Sequence, residues 1–400
     1  MPPTPDLVDL PTELIETIAG HLDLNDICSL RLASRAIAAK AFYGPFQIRF
    51  SSKSFEVSQT DLRRFEAVTR PGCLGCAIEH LTLVGNVAAA DTEPHNTQDC
   101  KESLIKALSQ LRAHSRSDRL RSIRLSVKGP IDPNHFSYTY KWRGYWKCAG
   151  DMAHVVMQAV EASGIKCQTL DLYGSTANCA LSPSRLQSLS ATLETSELKS
   201  LSLAVSASEG DEEVRDQVTD LYIILSGLIA RSQRLEHLEL RCVALQAHAS
   251  HTERQNQRCF TKVVATLSLS FLTSVYLKGL HTTSNDLLNF LTNHPQIRHL
   301  CLEWILLAQG HFDAVFEYVT TNLELESLYF NDLWQPALIY FPDAPGESHF
   351  PQPDMVTWIK REKLGTREKI VYKPLTRRIK GSAKASNWRN WRQSMYGPPG

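Results

Sequence analysis

The sequence predicts an α/β protein in three parts: a module of three short helices in residues 1–50, a repetitive body with a parallel concave sheet in 51–335, and a basic segment in 336–400. Three observations lead to this prediction. Apolar residues recur at helical spacing in the first part, a hexameric apolar pattern returns eight times in the second, and Lys and Arg accumulate in the third.

The N-terminal module is predicted from the spacing of its apolar residues. Leu14, Ile18 and Leu22 recur at i, i+4 and i+8, the spacing of one helix face. Pro11 suits a helix start, where its missing N–H is not needed. The candidate caps of the second and third helices are Asp23, Asn25 and Ser34. Such a short module buries too little surface to be stable alone and needs support from the chain or a partner.

The segment from Leu10 to Phe42 resembles an F-box, the helical module that docks a protein onto the Skp-type adaptor of a cullin ubiquitin ligase. The resemblance implies that the adaptor is bound by Leu10, Pro11, Leu14, Ile18, Leu22, Leu24, Ile27, Leu30, Leu32, Arg35, Ile37 and Phe42. The alternative is an ordinary helical hairpin that caps the following domain.

The body repeats a hexamer of the form Lxx(L/I/V)x(L/Y/F), with a mean spacing of about 35 residues. The copies begin at Ile78, Leu120, Cys167, Leu198, Leu235, Leu272, Ile297 and Leu325. Helical stretches are predicted between them at 102–114, 153–163, 184–195, 214–232, 286–293 and 312–321. One such unit cannot bury its apolar face, but stacked units share a continuous core.

This repeat resembles a degenerate leucine-rich-repeat solenoid of the kind found in F-box/leucine-rich-repeat proteins of fungi. The Asn or Cys that usually closes each repeat is mostly missing. The competing architecture is an open α/β sheet of ordinary topology. The regular return of the hexamer favours the solenoid.

Strand alternation predicts a polar surface, because positions three, five and seven of each copy point away from the core. The candidate anchors for a protein target on this surface are Arg124, Tyr173, Arg241, Tyr276 and Tyr329, since Tyr and Arg dominate interface energies. Three acids and three bases occupy these positions and give no single sign, so a polyanion is not the obvious ligand. The alternative is that small polar residues merely keep the sheet soluble.

An aromatic insertion, FSYTYKWRGYWK, spans residues 136–147. Phe136, Tyr138, Tyr140 and Trp142 alternate as on a strand face, and Trp142 and Trp146 are further candidates for target binding. Aromatic rings interleaved with basic residues also stack on single-stranded nucleic acid. The alternative is that the rings fold back and seal the flank of the body.

Motifs that carry catalytic or metal chemistry are weak. Cys73 and Cys76 have metal-ligand spacing, but no second ligand pair follows at the usual distance. No HExxH, GxSxG, GxxxxGK[ST] or GxGxxG motif occurs. We therefore expect no catalytic residue, no metal and no cofactor.

The C-terminal segment departs from the repeat. Five prolines between Pro336 and Pro353 predict a loop or linker over residues 336–355. Residues 360–392 contain twelve Lys or Arg against two Glu, although the whole chain carries only +1. This tail is interpreted as a solvated segment that folds back on the acidic body, or as a nuclear-targeting or nucleic-acid patch.

The chain shows no signal-peptide pattern and no run long enough for a membrane span, so its ten cysteines are expected to be reduced in the cytoplasm or nucleus.

These observations predict a non-catalytic substrate receptor of an SCF-type ubiquitin ligase. Its expected partners are the Skp-type adaptor, the cullin scaffold and a protein target whose identity the sequence does not give. The alternatives are a nucleic-acid-binding protein that uses the aromatic insertion and basic tail, and a scaffold that binds the adaptor without promoting degradation.

Overall fold

The computed structural model describes residues 6–41, 50–71, 74–87, 97–115, 119–129, 140–176, 179–182, 185–186, 197–206, 227, 229, 231–243, 269–335, 337–340, 356–359 and 378–379. In these residues the chain forms helices and one large open sheet that is mainly parallel. The predicted α/β class with a parallel sheet is therefore confirmed.

The N-terminal part contains a 3-10 turn and the three predicted helices. The turn spans Leu7–Asp9, and the helices are α1 (Thr12–His21), α2 (Leu24–Ala33) and α3 (Arg35–Lys40). The Asp23 carboxylate caps α2 by accepting from the Asp26 amide at 2.8 Å. The Ser34 hydroxyl caps α3 by accepting from the Ala36 amide at 3.2 Å. These two caps confirm the predicted helix starts.

Lys40 fastens the end of α3 to the start of the module. Its ammonium donates to the backbone carbonyls of Val8 and Leu10, each at 2.7 Å. The carbonyls belong to the turn that leads into α1. This residue therefore closes the helical module on itself.

The sheet of the body keeps its parallel strands in chain order. These strands are β1 (Ser52–Glu56), β2 (His80–Asn86), β3 (Arg119–Lys128), β4 (Lys166–Leu172), β5 (Ser200–Ser206), β6 (His237–Val243), β7 (Ser274–Lys278), β8 (His281–Thr283), β9 (His299–Gln309) and β10 (Ser327–Gln335). Each neighbour in space is the neighbour in sequence, except that β7 and β8 both pair with β9. A doubly wound sheet would reverse its order at a switch point, which these strands do not.

The register of the sheet aligns the repeated hexamers with one another. Leu81 pairs with Ile123, Ile123 with Leu170, and Leu170 with Leu201. The same row continues through the central apolar residues of the remaining copies, Leu238, Val275, Leu300 and Leu328. The hexamer is therefore one strand position repeated across the sheet.

Helices of the body pack on one face of this sheet. They are α4 (Gln59–Val68), α5 (Thr97–His114), α6 (Tyr140–Ser163), α7 (Ser284–Asn293) and α8 (Asp313–Thr321), with a 3-10 turn at Leu74–Ala77. One apolar cluster joins them to the buried strand positions, from Leu62 of α4 to Val319 of α8. The predicted helices at 102–114, 153–163, 286–293 and 312–321 all lie in this set, whereas most of 184–195 and 214–232 lies outside the described residues.

One unit of the body was not predicted. Strand β1 and helix α4 form a further strand–helix pair, and β1 pairs in parallel with β2 at the edge of the sheet. Lys53 occupies the row where the other strands carry an apolar residue, so no hexamer marks this strand. Phe55 of β1 still stacks on Phe65 of α4, with ring centroids 4.5 Å apart.

The C-terminal segment adds antiparallel strands beside β10. Strand β11 (Ala337–Tyr340) and β12 (Val356–Ile359) both pair with β10, and β13 (Arg378–Ile379) pairs with β11. The prediction of a loop throughout 336–355 is therefore wrong at β11, which forms a hairpin with β10. β13 belongs to the predicted basic tail, and the rest of that tail lies outside the described residues.

Candidate functional site

The N-terminal module leaves part of its predicted adaptor-binding set on the surface. Leu14 on α1 is 49% exposed and Leu32 on α2 is 88% exposed. Pro11 and Arg35 are also exposed, while four further members are half-buried: Leu10, Ile18, Leu22 and Leu30. The side chain of Leu24 and the whole of Phe42 lie outside the described residues.

Two members of the predicted adaptor-binding set lie in the interior of the module instead. Ile27 and Ile37 are 0% and 4% exposed. They are buried as Ile15, Ala19 and Ala41 are, and so they support the helices rather than contact a partner. The prediction that Ile27 and Ile37 contact the adaptor is corrected on this ground.

The second candidate surface is the sheet face opposite the helices, called here the polar face. Its rows are formed by positions three, five and seven of the hexamers. Burial alternates along β2 and β7, where every second residue is buried. Arg124, Tyr276 and Tyr329 lie on this face as predicted, with Arg124 exposed and the two tyrosines half-buried.

Tyr173 does not lie on the polar face, and its prediction as a target anchor is wrong. Strand β4 ends at Leu172, and Tyr173 adopts a left-handed backbone with φ of 68°. Its side chain is 0% exposed, and its hydroxyl donates to the Ala149 carbonyl of α6 at 2.7 Å. The left-handed residue breaks the strand alternation and sends the ring into the core.

Arg241 is also a structural residue, which corrects its prediction as a target anchor. It is only 6% exposed and donates from one terminal nitrogen to the carbonyls of Tyr173, Gly174 and Thr176. These carbonyls belong to the turn after β4. Gly174 is required there, because a Cβ would meet the Ser202 side chain of the next strand.

Two charged pairs cross the polar face, one from β3 to the neighbouring β4 and one from β3 across β2 to β1. Arg124 Nε lies 3.1 Å from Asp171 Oδ2, and Lys128 Nζ lies 2.7 Å from Glu56 Oε2. The Lys128 hydrogen bond, and a second one from Asn86, outweigh burial and lower the pKa of the Glu56 carboxyl. Both cations belong to β3, so this strand carries two exposed positive charges on the face.

A second polar cluster lies at the other end of the face. Tyr276 donates to Glu303 Oε2 at 2.5 Å, and Lys278 Nζ lies 2.9 Å from Glu303 Oε1. Burial and then the Glu303 charge raise the pKa of the Tyr276 phenol. Between the two clusters Ser202 donates to Glu239. The groups of this second cluster therefore satisfy one another.

The aromatic insertion is helical where the structure describes it, and the strand prediction for Tyr140 and Trp142 is wrong. Tyr140 is the first residue of α6, whereas Phe136 and Tyr138 lie outside the described residues, as does the Trp142 side chain. Trp146 and Tyr145 are both buried in the main core. The prediction of Trp146 as a target contact is corrected, and neither ring is free to stack on a base.

Among the described residues no group of three or more His, Cys, Asp or Glu is placed to hold a metal ion. Cys73 lies outside them, so its pairing with Cys76 as a ligand is not described. Burial raises the pKa of the Cys148 thiol to about 11 and of the Cys179 thiol to about 12, with a smaller contribution from nearby charges. Both thiols are therefore protonated at neutral pH and are poor nucleophiles.

None of the helices in the described part of the chain is both long and apolar enough to cross a membrane. Comparisons with models of protein families and with curated proteins give no match to this chain.

Proposed function

We propose that the chain is the substrate-recognition subunit of an SCF-type ubiquitin ligase. Its N-terminal module would bind the Skp-type adaptor, and the polar face of its leucine-rich-repeat-like solenoid would bind a protein target. The chain supplies no catalytic group in this proposal. Tethering raises the effective concentration of the target near the ubiquitin-conjugating enzyme, and this proximity accelerates transfer.

One observation carries the adaptor half of the proposal. The module fills its interior with Ile15, Ala19, Ile27, Ile37 and Ala41, yet keeps Leu14 and Leu32 on its surface. Burial of one leucine side chain in an interface contributes about 1.5–3 kcal/mol. An apolar helix surface of this kind is suited to lie in the groove of a partner.

The adaptor half is tested by pull-down with a purified Skp-type adaptor. Wild-type chain should be retained, and Leu14→Glu combined with Leu32→Glu should lose binding by at least about tenfold, which corresponds to about 1.4 kcal/mol. Val68→Glu is the matched control, because Val68 is an exposed apolar residue of α4 in the body, at 40%. Far-UV circular dichroism checks that all variants keep their helices.

Two results would contradict the adaptor half. One is no retention of the wild type by the adaptor. The other is equal retention of wild type and the double variant under conditions where both remain folded. The weaker substitution pair Leu10→Ala with Pro11→Ala tests the start of the module in the same assay.

The target half is supported by the polar face, which carries the exposed Arg124 and the half-buried Tyr276 and Tyr329. Affinity purification after proteasome inhibition should recover the adaptor, the cullin and one enriched protein that the polar face retains. Recovery of adaptor and cullin without an enriched protein would favour the scaffold alternative.

A further inference from the structure

On the polar face, the basic side chains of two ion pairs are more exposed than their acidic partners. The side chains of Arg124 and Lys128 are each 56% exposed, whereas their partners Asp171 and Glu56 are 7% and 24% exposed. The face contains equal numbers of acidic and basic residues. The basic side chains of this part are nevertheless more accessible to an approaching molecule than their acidic partners. The accessible surface of β3 is therefore positive in character.

The two cations are held in position by carboxylates that have other donors. Asp171 accepts from the Gly174 amide at 2.8 Å and from the Ser175 hydroxyl at 2.6 Å, and Glu56 accepts from the Asn86 amide group at 2.8 Å. These carboxylates therefore keep hydrogen-bond donors from the protein when Arg124 or Lys128 also interacts with an anionic group of a partner. Preorganised cations lose little side-chain entropy when a partner binds.

Arg124 retains donors for such a partner. Its guanidinium uses Nε toward Asp171, and within the described residues its two terminal nitrogens have no protein acceptor. A guanidinium carries five N–H groups in a planar fork and can bridge two carboxylates. Around it lie half-buried hydroxyl groups of the same rows, which can also donate to an anion: Thr82, Ser126 and Thr169.

The other two cations described on the face, Lys278 and Arg241, are less exposed than Arg124 and Lys128. Lys278 is 20% exposed and pairs with Glu303, which is 11% exposed. Arg241 is buried and donates to backbone carbonyls of the turn after β4. The free cationic donors of the described part of the face are thus concentrated on β3.

We propose that the part of the polar face centred on Arg124 and Lys128 binds an extended acidic segment of a partner protein. The two cations lie four residues apart on one strand, about 13 Å at the usual rise. Two glutamate or aspartate residues four positions apart in an extended peptide match this separation. The inference rests on the receptor role proposed above and names the chemistry of its target.

The test uses the full chain and a fluorescent peptide with two Glu residues four positions apart in a Ser/Gly/Thr background. A second peptide carries Gln at both positions. Fluorescence anisotropy at low and high ionic strength should show that the Glu peptide binds, that the Gln peptide binds at least about tenfold more weakly, and that salt weakens the Glu peptide.

Arg124→Gln with Lys128→Gln should weaken the Glu peptide by about tenfold. The matched control is Arg64→Gln with Lys147→Gln, which removes the same charge from two exposed residues of α4 and α6. The control should bind as the wild type does. Both double variants should retain the Skp-type adaptor equally, so loss of peptide binding is separable from loss of the receptor role.

Three outcomes would overturn the proposal. One is that the wild type does not bind the Glu peptide, or binds the Glu and Gln peptides equally. Another is that the control variant loses as much affinity as the β3 variant, which would make the attraction non-specific. A single-stranded oligonucleotide that binds β3 more tightly than the Glu peptide would assign the surface to nucleic acid instead.

Discussion

The N-terminal module and the repeat body differ in the size of the apolar core that each one forms. The body stacks strand–helix units, and one continuous core extends from Leu62 to Leu333. The module has a small core around Ala19 and Ile27, to which Phe50 adds from outside its three helices. It leaves Leu14 and Leu32 exposed. The body buries most of its apolar residues through its own repeats, whereas two leucines of the small module lie on its surface.

The largest expected effect contrasts a leucine of the body with a leucine of the module. Leu170→Ala removes a 0% exposed side chain from the central row of the sheet and should lower the free energy of unfolding by about 2–5 kcal/mol. Leu32→Ala, at 88% exposed, should change it by less than about 0.5 kcal/mol. Urea unfolding followed by circular dichroism measures both, and equal losses would refute the contrast.

A second contrast compares a buried with an exposed arginine of the polar face. Arg241→Lys cannot reproduce the donor geometry that satisfies the turn after β4, and should cost about 1–3 kcal/mol of unfolding free energy. Arg124→Lys, on the exposed side, should cost less than about 0.5 kcal/mol. The same urea titration gives both values. A loss at Arg124 as large as that at Arg241 would contradict the assignment of Arg241 to structure.

These contrasts show where sequence patterns succeed and fail. The hexamers predicted the register of the sheet because burial of one face forces a single alignment of apolar rows. On α1 the apolar residues occupy two adjacent faces, and spacing alone cannot tell the interior pair, Ile15 and Ala19, from the exposed Leu14. The predicted alternation of inward and outward strand positions extended one residue too far, to Tyr173. The residue type gives no sign that this tyrosine adopts a left-handed backbone.

The sequence likewise does not predict which charged side chains of the polar face are exposed. Counting acids and bases gives no single sign, since Asp171 and Arg124 contribute equally to a count. Their exposures differ because the turn after β4 draws Asp171 inward through the Gly174 amide and the Ser175 hydroxyl. That turn depends on three-dimensional contacts with β5 and β6, which no local motif encodes.

A third expected effect is pH-dependent and confined to the body. His294 is buried, accepts from the Leu269 amide at 3.3 Å and contacts the Phe290 carbonyl at 2.7 Å through its other nitrogen. Burial lowers the pKa of its imidazole, and the bond to Phe290 opposes this in part. The unfolded chain therefore binds the proton more tightly, so the stability due to His294 is present above the unfolded pKa of about 6.5 and declines as pH falls below it.

The measurement is urea unfolding of wild type and His294→Gln between about pH 7.5 and pH 5. The wild type should lose more stability on acidification than the variant. His237→Gln is the control, because His237 is an exposed histidine of the same body. An identical pH dependence of wild type and His294→Gln would show that His294 does not contribute.

The smallest expected effect lies in the module. Lys40→Met removes two donors to the carbonyls of Val8 and Leu10 and should loosen the turn before α1, with a change of about 0.5–1.5 kcal/mol or less. Amide hydrogen exchange should accelerate at Asp9 and Leu10 and remain unchanged in β4. Acceleration throughout the body would mean that module and body unfold as one unit.

The chain-ordered sheet also has a mechanical consequence. Paired strands are never far apart along the chain: Leu170 pairs with Leu201 and Leu300 with Leu328. A pulling force applied to the two ends would reach the edge strands first, and each strand that peels away would expose the next one to the load. We expect extension in a series of small steps rather than a single rupture, because each unit is held mainly by its immediate neighbours. Such a body would yield gradually under traction and re-form from whatever units remain folded.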